Sequence, residues 1–334
     1  MKKLFLVIVV LLTATMSFAQ NTLVATLTHG ENITAYYGVY ALRDALEAAT
    51  NGDVINLSGG QFESSWFTIN KAVTLRGAGI DAANPTLLKG INISIPTENS
   101  NRFSMEGIKC TESIRCDGTL SNPYFLRCQF ETLKTEENSS ISRAMFINCK
   151  ITRDCYMAGV GSFQFINSYV TCYTNNNWEK NNTIFYNCII AESRTSSGNG
   201  GLSHAQVLNS IIYQQANGGY DSWLDPSVMM TNCVAINYPG LFDSSTSSTN
   251  CREASFAEVF KDFMGDYSDT QTFELTNTAK TTFLGTDGKE VGLYGGVQPY
   301  TSVPSYPQIT KMNVANQTTA DGKLSVDIEV SAME

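Results

Sequence analysis

Short apolar runs and polar turns alternate through the middle of this chain with a period of about twenty residues. One phrase carries the rhythm. It reads Leu126-Arg127-Cys128-Gln129-Phe130, Ile147-Asn148-Cys149-Lys150-Ile151 and Ile166-Asn167-Ser168-Tyr169-Val170, and returns as Tyr186-Asn187-Cys188-Ile189-Ile190, Leu208-Asn209-Ser210-Ile211-Ile212 and Thr231-Asn232-Cys233-Val234-Ala235. Counted from the Arg or Asn, the steps are 21, 19, 20, 22 and 23 residues. A period of this length marks a solenoid, whose units bury their apolar faces against their neighbours. The units lack the fixed leucines of leucine-rich repeats and the long helical periodicity of helix-pair repeats. They hold β-branched and aromatic runs broken by Asn, Ser, Gly and Thr, which is strand-and-turn chemistry. The pattern predicts an all-β fold, a single-stranded parallel β-helix with three strands in each coil.

Two columns of side chains follow from stacking the units. Cys128, Cys149, Ser168, Cys188, Ser210 and Cys233 share one position, and Phe130, Ile151, Val170, Ile190, Ile212 and Ala235 share another two places on. That spacing puts both columns on one face of a strand. The preceding position is Arg127, then Asn148, Asn167, Asn187, Asn209 and Asn232. Asn tolerates the left-handed conformation at a bend, and its amide can bond to its equivalents in the coils above and below. These residues are expected to form an internal structural ladder, not a set of ligands.

The flanks predict caps. Ala41, Leu42, Ala45, Leu46 and Ala49 fall at helical spacing before Asn51-Gly52-Asp53 and the strand Val54-Ile55-Asn56-Leu57. Residues 20–52 thus read as an N-terminal strand and a helix that covers the open first coil. Residues 53–250 read as the β-helix. After Cys251 the rhythm stops, and Phe256, Val259, Phe260 and Phe263 make one helical face, so residues 251–300 read as a C-terminal cap with its own helix. Glu258, Asp262 and Asp266 on the other side lack the alternating ligands and closing Glu of a calcium loop. Residues 301–334 carry Pro304, Pro307 and the alternating strand Leu324 to Val330, a tail or small β appendage.

The opening of the chain carries a resemblance. Ala41-Leu42-Arg43-Asp44-Ala45-Leu46-Glu47-Ala48-Ala49, Gly52-Asp53-Val54-Ile55-Asn56-Leu57, Phe67-Thr68-Ile69-Asn70-Lys71 and Val73-Thr74-Leu75-Arg76-Gly77 look like the start of the pectate-lyase-like right-handed β-helix superfamily. Gly285-Thr286-Asp287-Gly288 and Val291-Gly292-Leu293-Tyr294-Gly295-Gly296 resemble a phrase of its uncharacterised secreted members. The resemblance spans most of residues 35–298 and implies a right-handed coil. It is specific for fold and poor for activity, because lyases, hydrolases, epimerases and adhesins share this scaffold.

Met1-Lys2-Lys3, the apolar run Leu4 to Leu12 and Ser17-Phe18-Ala19 read as a secretory signal peptide, residues 1–19, cleaved after Ala19. That run is too short for a membrane span, so the chain is expected to be secreted, periplasmic or displayed at the cell surface. Without Lys2 and Lys3 the net charge of −9 becomes −11. Nucleic-acid binding needs a basic footprint and is excluded as a function class. Nine cysteines make an odd set. Cys128, Cys149, Cys188 and Cys233 read as compact apolar fillers of the internal column. Cys110, Cys116, Cys155, Cys172 and Cys251 lie off it and are the better disulfide candidates in an exported protein.

The resemblance sets what an enzyme would need. A lyase of this fold uses a Lys or Arg base beside an acidic calcium cluster, which acidifies the proton to be removed. The turns after the Asn column supply Arg153 and Asp154, Tyr173, Glu192 and Tyr238. Arg153, Asp154 and Glu192 are the catalytic candidates, although Asp154 and Glu192 stand two coils apart, roughly 10 Å by strand stacking, wide for a paired-carboxylate hydrolase. A solvated turn with an Arg–Asp pair explains the same residues. Tyr173, Trp178, Tyr220, Trp223 and Tyr238 sit in or near long polar turns, where rings can stack on sugars. His29 and His204 are the two histidines, and no Cys or His spacing suggests zinc. The sequence therefore points to a non-catalytic partner of polysaccharides or cell-surface glycans with no cofactor. A polysaccharide lyase or glycoside hydrolase is the alternative, and calcium enters only with a lyase. A structural spacer or adhesin segment is the third reading.

Overall fold

The fold is described from a computed structural model, over residues 23–96, 102–173, 180–193, 202–214, 227–238, 241–242, 247–314, 321–323 and 325–331. The expected signal peptide lies outside these residues. These residues form a parallel β-solenoid of about eight turns with three short helices. Two long sheets run its length. One passes from Val54–Leu57 through Thr74–Arg76 to Ser247–Thr249, and the other from Gly60–Gln61 to Arg252–Ala254. The predicted third strand is fused to the second in the middle coils. Ile108–Cys116 pairs with both Thr86–Leu88 and Gly90–Ile93, and bends at a register shift between Cys110 and Ser113. Gln129–Thr135 and Lys150–Met157 bend at the matching place. A bulge turns each strand sharply without breaking it.

The interior is built of stacked identical positions. Phe125, Phe146, Phe165 and Phe185 lie two residues before the ladder position and stack with centroids 4.6, 4.9 and 5.0 Å apart. Those distances are the strand spacing of a sheet, so ring stacking and backbone pairing reinforce one another. The small-residue column does more than fill space. Cys188 Sγ donates to the carbonyls of Phe165 and Tyr186, and Ser168 Oγ to those of Phe146 and Ile166. Ser168 and Ser210 also accept the N–H groups of Cys149 and Cys188. Cys and Ser interchange in this column because either can donate across the bend.

At the N-terminus the strands Val24–His29 and Asn32–Tyr37 add an antiparallel hairpin to the edge of the first sheet. The helix Ala41–Ala48 buries Ala41, Leu42 and Ala45 against the first coil, as the spacing predicted. At the other end the coil continues further than the repeat suggested. Asn250 is left-handed at φ 52°, and the strand Arg252–Ala254 pairs in register with Val234–Ile236, so Cys251 stacks on Cys233 and belongs to the column. The step from Asn232 is only 18 residues, which hid it.

The C-terminal region covers the side of the solenoid and not its end. The predicted helix is a single turn, Phe256–Val259, with a capping box between Ser255 and Glu258. Glu258 therefore caps this turn. Phe256, Val259, Phe260, Phe263, Phe273, Leu275, Val291 and Leu293 pack on Tyr169, Ile189, Ala191, Ile211, Tyr213, Val234 and Ile236, the outward face of the second sheet. The chain then runs back along the Asn column as a strap. The left-handed turns are as expected, with φ between 45° and 54° at Asn148, Asn167, Asn187, Asn209 and Asn232. Their amides do not bond one another. Asn232 Nδ2 donates to Leu284 O, Asn209 to Thr286 Oγ1, Asn187 to Gly292 O, and Asn167 to Leu293 O and Gly295 O. Further on, Ser305 donates to Glu106, which also receives Arg127 Nη1 at 2.8 Å in a buried pair. Gln308–Val314 and Val326–Ser331 close the described chain as a separate antiparallel hairpin.

Candidate functional site

Burial divides the outside of the solenoid. The outward positions of the second sheet from Tyr169 onward lie beneath the side cover, where the Tyr169 and Tyr213 hydroxyls bond each other at 2.7 Å. No ligand reaches that stretch without removing the cover. The bent halves of the second sheet in the earlier coils are open instead. Phe67, Ile91, Ile114, Leu133 and Cys155 point inward and are buried. Strand alternation sends their neighbours out.

Two outward rows result. Thr68, Asn92, Arg115, Lys134 and Tyr156 stand in register across five strands. Beside them run Trp66 paired to Gly90, and Ser113, Thr132 and Asp154. Four strand spacings make this face roughly 19 Å long. Its two aromatic rings lie near opposite ends and each carries a cation: Arg115 stands 4.7 Å from the Trp66 ring and Lys134 5.7 Å from that of Tyr156. Trp66 Nε1 donates to Glu112 Oε2 at 2.9 Å, which fixes the indole in its plane. Gly90 lets it lie down on the sheet, because a Cβ there would come within 2.7 Å of the ring. An open cleft of about 410 Å³ adjoins Trp66, between Arg43 and Glu47 of the cap helix and Thr68, Asn70 and Lys71.

Arg153 and Asp154 are on this same face. Arg153 is exposed, donates to Glu131 at 3.1 Å and to Thr132 Oγ1 at 3.4 Å, and forms an ion pair with Asp154 at 3.6 Å. Burial pushes the Asp154 carboxyl above its ordinary range, and the Arg153 charge only partly opposes this. Glu192 is not part of the cluster. Its backbone registers with Cys172, and Cys172 with Cys155, so it stands two strands beyond, and Arg153 turns to Glu131 in the other direction. Tyr173 ends its strand opposite Ser193. The side chains of Glu192 and Tyr173, and Trp178, Tyr220 and Trp223, lie outside the described residues. Tyr238 is 6% exposed and packs in the main core, which removes it from any sugar surface. The sequence reading missed Trp66 and the Arg115–Lys134–Tyr156 row, because the degenerate first coils hide the register that assembles them.

Among the described residues no group of three or more His, Cys, Asp or Glu is arranged to hold a metal ion. No helix there is long and apolar enough to cross a membrane. No disulfide joins any of the nine cysteines, all of which are thiols and all but Cys251 buried. The disulfide candidates Cys110, Cys116, Cys155 and Cys172 are thus core residues. No family model, curated protein or solved structure matches the chain.

Proposed function

We propose that this protein is an exported glycan-binding β-helix of the pectate-lyase-like kind, and that it holds its ligand on the open face between Trp66 and Tyr156 without cleaving it. The observation that carries this reading is the register row Thr68–Asn92–Arg115–Lys134–Tyr156 beside Trp66. Amides, cations and partly exposed rings at strand spacing suit an extended chain of hydroxylated rings: the rings offer apolar faces, and the polar groups supply hydrogen bonds. A flat, preformed surface also costs little ordering on binding. The export expected from residues 1–19 and the excess of negative charge fit a partner outside the cell.

Cleavage is the second reading, favoured by one feature, the raised Asp154 carboxyl beside Arg153. A raised carboxyl lies closer to what a general acid needs. Its Arg153 partner is already paired with Glu131 at 3.1 Å, which works against Arg153 acting as the base. The mature chain, screened on a polysaccharide panel with and without calcium, separates the two. Retention on a glycan without new reducing ends or unsaturated product is expected. Trp66→Ala and Arg115→Ala should each weaken retention about tenfold, the worth of one stacked contact. Product that disappears in Asp154→Ala would establish the cleaving reading. Binding unchanged in both face variants would remove this surface from the function.

A further inference from the structure

Eight of the nine thiols are buried, and the one that is not lies at the end of a stack. Cys251 closes the internal Cys/Ser column, in the last strand pair of both sheets, so no further coil covers it. Cys233 stands directly beneath, one strand spacing away, and its backbone N–H points at Cys251 Sγ at 3.4 Å. The two α-carbons of in-register neighbours are separated by about 5 Å, inside the range a disulfide spans. We infer that Cys251 and Cys233 form a dithiol site that reacts with small external disulfides and closes into a bond between the last two coils.

The chemistry balances. The Cys251 thiolate attacks one sulfur of a low-molecular-weight disulfide, breaks its S–S bond and releases one thiolate, leaving a mixed disulfide on Cys251. The Cys233 sulfur then attacks Cys251 Sγ. The second small thiol departs with the Cys233 proton, the external disulfide is reduced to two thiols, and the protein pair is oxidised. Geometry assigns the order. Hydrogen bonding from Cys233, whose backbone N–H points at Cys251 Sγ at 3.4 Å, holds the Cys251 thiol down to about 7 and keeps part of it ionised at neutral pH. Cys233 itself is enclosed, and burial together with the neighbouring Cys251 charge raises its thiol well above the ordinary value, so it does not start the reaction; the mixed disulfide removes that charge, and Cys233 then passes its proton to the departing small thiolate as it attacks. Cys128 and Cys149 are also stacked neighbours, yet both are shut inside the coil and burial pushes Cys128 far up. Proximity in the column is therefore not enough, and exposure at the open end selects one pair.

The test treats the folded, fully reduced chain with oxidised glutathione at neutral pH and maps it by peptide mass spectrometry. The expected product has lost two hydrogens and contains a linked peptide joining Cys233 to Cys251. Before oxidation, a brief pulse of iodoacetamide should label Cys251 at least tenfold faster than any other cysteine. Cys233→Ser should stop at a stable glutathione adduct on Cys251, with the fold intact, because Ser168 and Ser210 occupy the same column. Cys251→Ser should show neither adduct nor link. A wild-type chain that keeps the adduct without closing, links any other pair, or stays unreacted while Cys251 is labelled no faster than its buried neighbours would overturn the inference.

Discussion

The left-handed Asn is the residue on which this fold turns. Each coil from Arg127 to Asn250 bends between the two sheets at one place, where a side chain takes φ near +50°. Asn accepts that conformation at less cost than other L residues. Asn167 is fully buried and donates at 2.8 and 2.9 Å to Leu293 O and Gly295 O. Asn167→Ala loses both bonds and strains the turn, an expected loss of about 3 kcal/mol in urea unfolding. Asn167→Gly loses the bonds but relaxes the backbone, so about 1–2 kcal/mol should go. Equal losses would mean that the turn conformation is not strained. The turn was legible in the sequence because it repeats every coil. Its partners were not, since the strap that receives the amides follows 52 to 151 residues later and has no repeat of its own. Arg127 shows the same division. It takes φ 51° where the others have Asn, and only the packed structure supplies Glu106 to hold its guanidinium.

At the scale of elements, the strap and its side cover depend on a few polar contacts with the early coils. Asp269 receives Lys109 Nζ at 2.5 Å and Gln129 Nε2 at 2.8 Å, with Tyr267 at 3.1 Å. Burial works to raise its carboxyl, but the bonds from Lys109 and Gln129 outweigh it and hold the group below its ordinary value. A depressed carboxylate stabilises the fold above its unfolded value, near 4, and that contribution fades as pH falls through the folded one. Asp269→Asn should therefore melt below wild type at pH 7, and the gap should narrow as the pH is lowered from about 4 through the folded value. A gap of constant size across that range would show that charge is not what anchors this corner. The extent of the cover was written in the sequence and is easily passed over. Early coils read polar then apolar, Gln129-Phe130 and Lys150-Ile151, and their polar members are buried at the edge of the cover, where Gln129 meets Asp269 and Lys150 meets the Tyr300 ring. From Tyr169-Val170 onward the doublets are apolar on both sides, Ile189-Ile190, Ile211-Ile212 and Val234-Ala235, which marks a strand buried on two faces. The switch falls where the apolar core of the cover begins.

For the whole molecule, that switch makes the C-terminal region part of the core and not an accessory. A solenoid is held by nearest-neighbour terms, and such molecules commonly tolerate shortening from an end. Here shortening strips a side. A chain ending at Ala254 keeps every paired strand of both sheets, yet bares Tyr169, Ile189, Ile211, Tyr213, Val234 and Ile236 together. An exposed apolar patch beyond a few hundred Å² drives association, so this fragment should bind hydrophobic dyes and elute as oligomers or precipitate. Ending the chain at Pro307 removes only the hairpin Gln308–Val314 with Val326–Ser331 and keeps the contacts of Ser305 and Tyr306 with Glu106 and Gly77. That shorter chain should stay monodisperse and melt within a few degrees of the full one, as surface changes of under about 1 kcal/mol do. The comparison isolates the cover because both deletions leave the coils untouched. If the fragment ending at Ala254 proved soluble, monodisperse and equally stable, the coils would be self-sufficient, and the doubled apolar face from Tyr169 onward would need another explanation. If it fails as expected, the solenoid has two working sides, one sealed by its own C-terminus and one left open, where Trp66, Arg115 and Tyr156 stand.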